Sequence, residues 1–262
     1  MRAASPDIGA LAKHLFDANR SRSLVARLTD DHPDLTLEQG YDVQLALRDL
    51  HIADGAQVVG AKLGLTSRAK QAQMGQAAPV HGFLTDAMRL DAGEPLEAAS
   101  LGQPRVEPEI AFVIGRDLFG PRVSATEVLG ATEAVCPALE VLDSRYPEYK
   151  FTLPDVVADN TSAGRFVLGA TLTRPVGIDL RLVGCAFERN GALAGTAAGA
   201  ASLGHPAAAV AALVRELARR GEVLPAGAVV MSGGLTEAVP LAAGDVAVAR
   251  FDRLGTVELA CL

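Results

Sequence analysis

Two glutamates one residue apart open the chemistry this chain can offer. In Pro104-Arg105-Val106-Glu107-Pro108-Glu109-Ile110-Ala111-Phe112-Val113-Ile114 everything after Glu109 is apolar, as a buried strand requires. Alternate side chains of a strand share a face, so Glu107 and Glu109 are expected to present two carboxylates together at its mouth. A solvated strand end has the same look. The third carboxylate, Glu140, lies in Pro137-Ala138-Leu139-Glu140-Val141-Leu142, where a charge among aliphatic neighbours is costly unless a cation meets it. That cation is either a basic side chain in a structural ion pair or, if the three glutamates converge, a hard divalent metal. Oxygen ligands with no nearby His or Cys suit Mg²⁺, or Mn²⁺, better than zinc.

Lys62 stands alone in Val58-Val59-Gly60-Ala61-Lys62-Leu63-Gly64-Leu65, a run that otherwise reads as buried strand. Desolvation eases loss of its proton and suits a proton shuttle, whereas a neighbouring anion pulls the other way; a snorkelling or structurally paired lysine is the plainer alternative. After it, Leu65 and Thr66 are expected to contact substrate, the Thr66-Ser67 pair offering backbone and hydroxyl donors to an anion, and Ser67 is placed to cap a helix ending near Gly75. Asp143-Ser144-Arg145-Tyr146 and Ala158-Asp159-Asn160-Thr161-Ser162 are dense in small polar groups; turn and cap duty explains such clusters as readily as substrate contact by Asp159, Asn160 and Ser162. Met231-Ser232-Gly233-Gly234-Leu235-Thr236 leaves a strand for glycine, so amides at Gly234 and a hydroxyl at Thr236 are available to a carboxylate. It lacks the lysine and spacing of a phosphate-binding loop, and no hydrolase, zinc-protease or dinucleotide fingerprint occurs elsewhere.

The elements that must position these groups read as an α+β chain. Ser5-Pro6-Asp7 precedes Ile8, Leu11 and Leu15 at helical spacing, and Thr36-Leu37-Glu38-Gln39 is a capping box ahead of a second helix stopped by Gly55. Residues 1–56 are therefore expected to form a helical lobe and 57–262 a β-rich catalytic body, the two making one structural domain. Strands are expected at Val58–Leu65, Ile110–Ile114, Ala138–Leu142, Phe166–Leu168, Val183–Phe187, Val229–Met231, Val246–Phe251 and Thr256–Leu259. Asn190-Gly191 signals a hairpin turn, and Gly204-His205-Pro206 opens a helix closed by Gly221. Strands do not alternate regularly with helices, so a mainly antiparallel body is favoured over a doubly wound sheet.

Composition narrows the partners. The chain has 262 residues, 49% of them hydrophobic, and no tryptophan, so its core is aliphatic. With 31 Asp+Glu against 24 Lys+Arg and no long basic run, neither nucleic acid nor an anionic membrane is expected as a partner. An anionic substrate needs local positive charge, for which Arg68 and Arg145 are the candidates. Cys136, Cys185 and Cys261 form no close pair, and no secretory signal or membrane span is read, so a reducing cytoplasmic setting is expected.

Taken in order, the segments Val59–Ser67, Pro104–Ile110, Pro137–Arg145, Val157–Asn160 and Leu203-Gly204-His205-Pro206 make the chain resemble the 2-keto-4-pentenoate hydratase and 4-oxalocrotonate decarboxylase group of the fumarylacetoacetate hydrolase superfamily. The resemblance implies Glu107, Glu109 and Glu140 as metal ligands and Lys62 as the catalytic lysine. It implies a distorted β-sandwich roll with an N-terminal helical portion. Ser144-Arg145-Tyr146, Tyr149-Lys150-Phe151 and Ser232–Pro240 are more similar to the decarboxylase branch, which implies metal-dependent loss of CO₂ from the dicarboxylic 2-oxo acid 2-oxohex-3-enedioate. Hydration of 2-hydroxypenta-2,4-dienoate is the alternative, and a non-catalytic scaffold for a partner hydratase is the alternative outside enzymes. Homo-oligomers, and a complex with the hydratase that takes the product, are further implications. One departure is His81, where the family often has an aromatic residue before Gly82-Phe83-Leu84.

Overall fold

The computed structural model describes residues 6–67, 71 and 78–262. Helix α1 (Ile8–Ser21) starts where the Asp7 carboxylate accepts from the Ala10 amide. A short turn, α2 (Leu28–Asp31), leads to α3 (Leu37–Ala53), whose capping box forms as expected, with Thr36 and Gln39 each bonding the other's backbone amide. Ser67 is described, but the helix expected between it and Gly75 falls largely outside the described residues, as does Arg68.

The β strands form two sheets. The larger holds β1 (Val58–Gly64), β2 (Val80–Thr85), β3 (Arg89–Leu90), β4 (Arg105–Ile114), β5 (Thr132–Leu142), β6 (Ala163–Leu168), β9 (Val229–Met231) and β10 (Val239–Pro240), in the order β2-β1-β9-β4-β5-β6-β3 with β10 against β4. Among these described strands β1–β9 and β3–β6 pair in parallel and the others antiparallel. The smaller sheet runs β12-β11-β7-β8 from β7 (Gly184–Arg189), β8 (Ala192–Ala198), β11 (Val246–Phe251) and β12 (Gly255–Ala260). Asn190 and Gly191, at φ 52° and 75°, make the β7–β8 hairpin turn read from their identity. Helices α4 (Ala125–Ala131), α5 (Leu153–Ala158) and α6 (Pro206–Arg219) complete the chain, α6 being capped by the His205 side chain. Among the described residues no helix is long and apolar enough to cross a membrane, and the three cysteines are buried and free.

Period-two alternation decides what each face of the large sheet carries. Val106, Ile110, Phe112 and Ile114 of β4, Val135, Leu139 and Val141 of β5, Leu63 of β1 and Val230 of β9 share one core with Phe187, Ala247, Ala249 and Val257 of the smaller sheet. The opposite face offers Ala111, Cys136, Ala138 and Met231 to Leu15, Phe16, Val43 and Leu47 of α1 and α3. Each large aliphatic side chain so buried contributes roughly 1.5–3 kcal/mol. The N-terminal helices thus share a core with the sheet they cover. Glu107, Glu109, Glu140 and Lys62 fall in the alternation of this second face.

Candidate metal centre

Antiparallel pairing of β4 and β5 sets Glu107 directly opposite Glu140, with Glu109 two residues further along and opposite Ala138. Carboxylate oxygens of all three lie within 4.8 Å of one another. The side chains are buried, Glu109 at 0% exposure and Glu140 at 1%. β1, two places away across β9, supplies Lys62, whose Nζ stands 3.0 Å from Glu140 Oε1 and donates to the Thr161 carbonyl at 3.0 Å.

Among the described residues, one ammonium, Lys62, does not balance both Glu140 and Glu109. Burial, reinforced by the charges of Glu140 and Glu107, drives the Glu109 carboxyl well above its ordinary value. Burial alone would lower Lys62, but attraction to Glu140, Glu107 and Glu109 outweighs it and holds the ammonium protonated above its usual range. Glu109 Oε2 accepts from the Gly233 amide at 2.7 Å, while Glu109 Oε1 and Glu140 Oε2 meet no hydrogen-bond donor among the described residues. Buried oxygens left this way are costly unless a cation completes them, so an all-oxygen donor set with a residual negative charge fits Mg²⁺ or Mn²⁺.

The surrounding backbone is built to leave room here. A Cβ on Gly234 would come within 2.3 Å of the Glu107 carboxylate, and one on Gly233, at φ +102°, within 2.1 Å of Thr66 Oγ1. Thr66 also accepts from the Leu203 amide, tying the end of β1 to the segment before α6. Asn160, Thr161 and Ser162 run consecutively through left-handed conformations at φ 47°, 53° and 57°, and Leu65 adds a fourth at 56°. Such strain, of order 1–2 kcal/mol per residue, persists only where surroundings over-determine it. Here the Asn160 side chain bonds both the amide and the carbonyl of Phe83, Thr161 Oγ1 bonds the His81 carbonyl, and the Thr161 carbonyl receives Lys62.

A cavity of about 430 Å³ opens onto Lys62 and Glu107, with Glu109 and Glu140 buried behind them. Leu65, Val80, Phe151 and Val156 line its apolar side; Ser162, 3% exposed and with no hydrogen-bond partner for its Oγ among the described residues, lines the polar side. Arg145 and Asp159 lie elsewhere. They bond each other, Asp159 also receives the Arg145 amide, and Asp143 stands 3.7 Å from the guanidinium. Burial pushes Asp159 up to about 6 although Arg145 pulls it down. Thr236 lies beside Gly195, its hydroxyl donating to the Glu237 carbonyl. His81 points the other way from Val80, into a second cavity of about 380 Å³, and stacks on Tyr41 at 4.7 Å. Arg105 and Tyr149 line the metal-side cavity without having been singled out for it from the sequence. For Arg105 the signal was present, since it precedes Glu107 by two positions on the same strand face.

Comparison with known proteins agrees with this geometry. The chain is 45% identical to a 4-oxalocrotonate decarboxylase of Pseudomonas sp. (strain CF600), the match covering 95% of this chain and 94% of that one. It is 44% identical to a 2-hydroxyhexa-2,4-dienoate hydratase of Comamonas testosteroni over 92% and 90% of the two chains. A solved 4-oxalocrotonate decarboxylase from Pseudomonas putida G7, complexed with magnesium and adipate, superposes with a TM-score of 0.95 at 41% identity, covering 97% of each chain. The model of the fumarylacetoacetate (FAA) hydrolase C-terminal domain matches residues 57–260, which takes in every glutamate and the lysine described above. On these grounds the chain belongs to the fumarylacetoacetate hydrolase family, within its 4-oxalocrotonate decarboxylase and 2-keto-4-pentenoate hydratase group.

Proposed function

We propose that this protein is a Mg²⁺-dependent carbon–carbon lyase that decarboxylates 2-oxohex-3-enedioate (4-oxalocrotonate) to 2-hydroxypenta-2,4-dienoate in the catabolism of aromatic compounds. The observation that carries the reading is the buried trio Glu107, Glu109 and Glu140, whose carboxylate oxygens converge beside Lys62 at a cavity sized for a small acid. In this reading the three glutamates hold the cation, which when bound supplies the electron sink that a 2-oxo acid needs.

The chain's own groups do the rest. Breaking the bond between C5 and the C6 carboxylate releases CO₂ and sends its electron pair through the C3–C4 double bond to the C2 oxygen. Lys62 keeps a proton on Nζ, fixed between Glu140 and Thr161, and delivers it to that oxygen to give the hydroxydiene product. Apolar walls at Leu65, Val80 and Phe151 exclude water from the developing charge, and Ser162 Oγ, unpartnered among the described residues, is placed to donate to the substrate. Thr66, Asn160 and Gly234 act by shaping the site, whereas Arg145 and Asp159 brace the segment leading into the strained turn. We further read the two-sheet body as the family's distorted sandwich roll, working in the cytoplasm as a homo-oligomer that hands product to a hydratase.

Assay of 2-oxohex-3-enedioate with and without EDTA tests this. Metal-dependent CO₂ release is expected, restored by Mg²⁺. Formation of 4-hydroxy-2-oxopentanoate from the dienol without CO₂ release would instead establish hydration, which the hydratase relatives at similar identity make the second reading.

A further inference from the structure

We propose that Arg105 is the docking point for the far carboxylate of a dicarboxylic acid, and thereby the residue that makes this cavity select diacids over monoacids. The inference rests on the substrate reading above for the length of the acid; the charge and placement belong to the structure.

A dianion entering a protein of net charge −7 needs a local cation. Two described basic side chains line the cavity, and they are engaged very differently. Lys62 is committed to Glu140 and Thr161. The Arg105 side chain makes no ion pair or hydrogen bond among the described residues; its guanidinium carbon lies over the Tyr149 ring, 4.4 Å from the centroid. A cation–π contact of this kind holds the guanidinium in place without using its N–H donors, which stay available to a carboxylate.

The platform is itself held in place. Tyr149 donates its hydroxyl to the Gln103 carbonyl at 3.0 Å, and Glu148 and Tyr149 both take left-handed backbone at φ 56° and 59° to bring the ring under Arg105. Spacing agrees with the acid. Arg105 and Glu107 are alternate residues of one strand face, so their Cα atoms are about 6.8 Å apart. Five carbon–carbon bonds of roughly 1.5 Å, bent at each carbon, separate the carboxyl carbons of a six-carbon diacid by about 6 Å. A six-carbon diacid with one carboxylate at a cation held by Glu107 is therefore of a length to bring its other carboxylate toward Arg105. The remaining charged group on the wall, Glu237, is exposed and forms no ion pair with Arg105. Arg145 is not available for this duty, being consumed by Asp143 and Asp159.

Calorimetric titration of adipate and of hexanoate into the Mg²⁺-loaded protein tests the assignment, using wild type, Arg105→Gln, Arg105→Lys and Tyr149→Phe. Wild type and Tyr149→Phe, which keeps the ring, should favour adipate by tenfold or more. Arg105→Gln should weaken adipate by about ten- to hundredfold, the loss of one charge-assisted contact, with hexanoate changed less than about twofold; Arg105→Lys should fall between. Equal weakening of both acids, no weakening of either, or no diacid preference in wild type overturns the proposal. Mg²⁺ affinity measured on each variant separates a misfolded protein from a lost contact, and Arg105→Lys retains the question if the glutamine variant does not fold. Wild type that prefers adipate through Arg105 but releases no CO₂ from 2-oxohex-3-enedioate fails the decarboxylase reading alone; CO₂ release without Arg105-dependent preference fails this inference alone.

Discussion

Two buried charge clusters lie three residues apart in the chain and are balanced in opposite ways. Around Arg145, Asp143 accepts from the amides of Gly102 and Gln103 as well as facing the guanidinium, and Asp159 accepts from both the Arg145 amide and its side chain. Around Lys62, Glu107, Glu109 and Glu140 converge, and among the described residues oxygens of Glu109 and Glu140 have no hydrogen-bond donor. Both clusters are almost wholly buried. In the first, both carboxylates have donors and hold the fold, and the one unpaired buried atom is Arg145 Nη1, 3.7 Å from Asp143; in the second the unpaired atoms are carboxylate oxygens, which ask for a cation. Burial of charge by itself thus does not mark a functional site, whereas unmet demand for a counter-charge does.

The largest test of that contrast is Glu109→Gln. It is expected to lower kcat/KM at least about a thousandfold through loss of the metal, while leaving the metal-free protein no less stable, because it removes a carboxylate that burial and its neighbours already disfavour. Activity assay and thermal unfolding in EDTA check both halves; destabilisation of the metal-free variant would erase the difference between the clusters. Arg145→Met should do the reverse, costing about 3–5 kcal/mol of unfolding free energy by stranding two buried carboxylates and leaving Mg²⁺ affinity per folded molecule within about threefold. Denaturant unfolding and calorimetry decide it.

Adding Mg²⁺ at a hundred times its dissociation constant should stabilise wild type by about 2.7 kcal/mol, and Arg145→Met by the same amount, but Glu109→Gln not at all; a melting shift that survives in the glutamine variant places the ion elsewhere. The smallest effect concerns His81, outside both clusters, which burial holds down to about 4. Its folded value lies below its unfolded one, so it contributes fully above pH 6.5 and its contribution is lost as pH falls toward 4. Between pH 7 and pH 5 wild type should lose about 2 kcal/mol more than His81→Gln, in either metal state. Parallel stability curves for the two proteins would show that His81 is not the group concerned.

What the sequence made readable follows from the range of the interactions. Alternation along β4 put Glu107 and Glu109 on one face, and the aliphatic setting of Glu140 marked it as needing a partner; both are properties of a few adjacent residues. The capping box at Thr36 and the Asn190-Gly191 turn are local in the same way. Strand β2 was not anticipated because it is buried along its whole length and shows no alternation, and β8 because its Ala-rich sequence has little strand preference and is extended by pairing with β7. Arg145 was expected at the substrate because nothing near it in the sequence shows Asp159, fourteen residues on, folding back onto it. His81, the departure from the family pattern, lines the other cavity, and it is its carbonyl, bonded to Thr161, that meets the residues of the site.

The paired glycines at 233 and 234 carry a consequence for how sequences of this kind can drift. One is closed to any side chain by the Thr66 hydroxyl and its own left-handed backbone, the other by the Glu107 carboxylate. In a saturation library selected for turnover, both positions should be as invariant as the acidic ligands, though neither contributes an atom beyond its main chain to the reaction. Permissiveness there would mean that the loop can retreat, and with it the wall that keeps the glutamates pressed together.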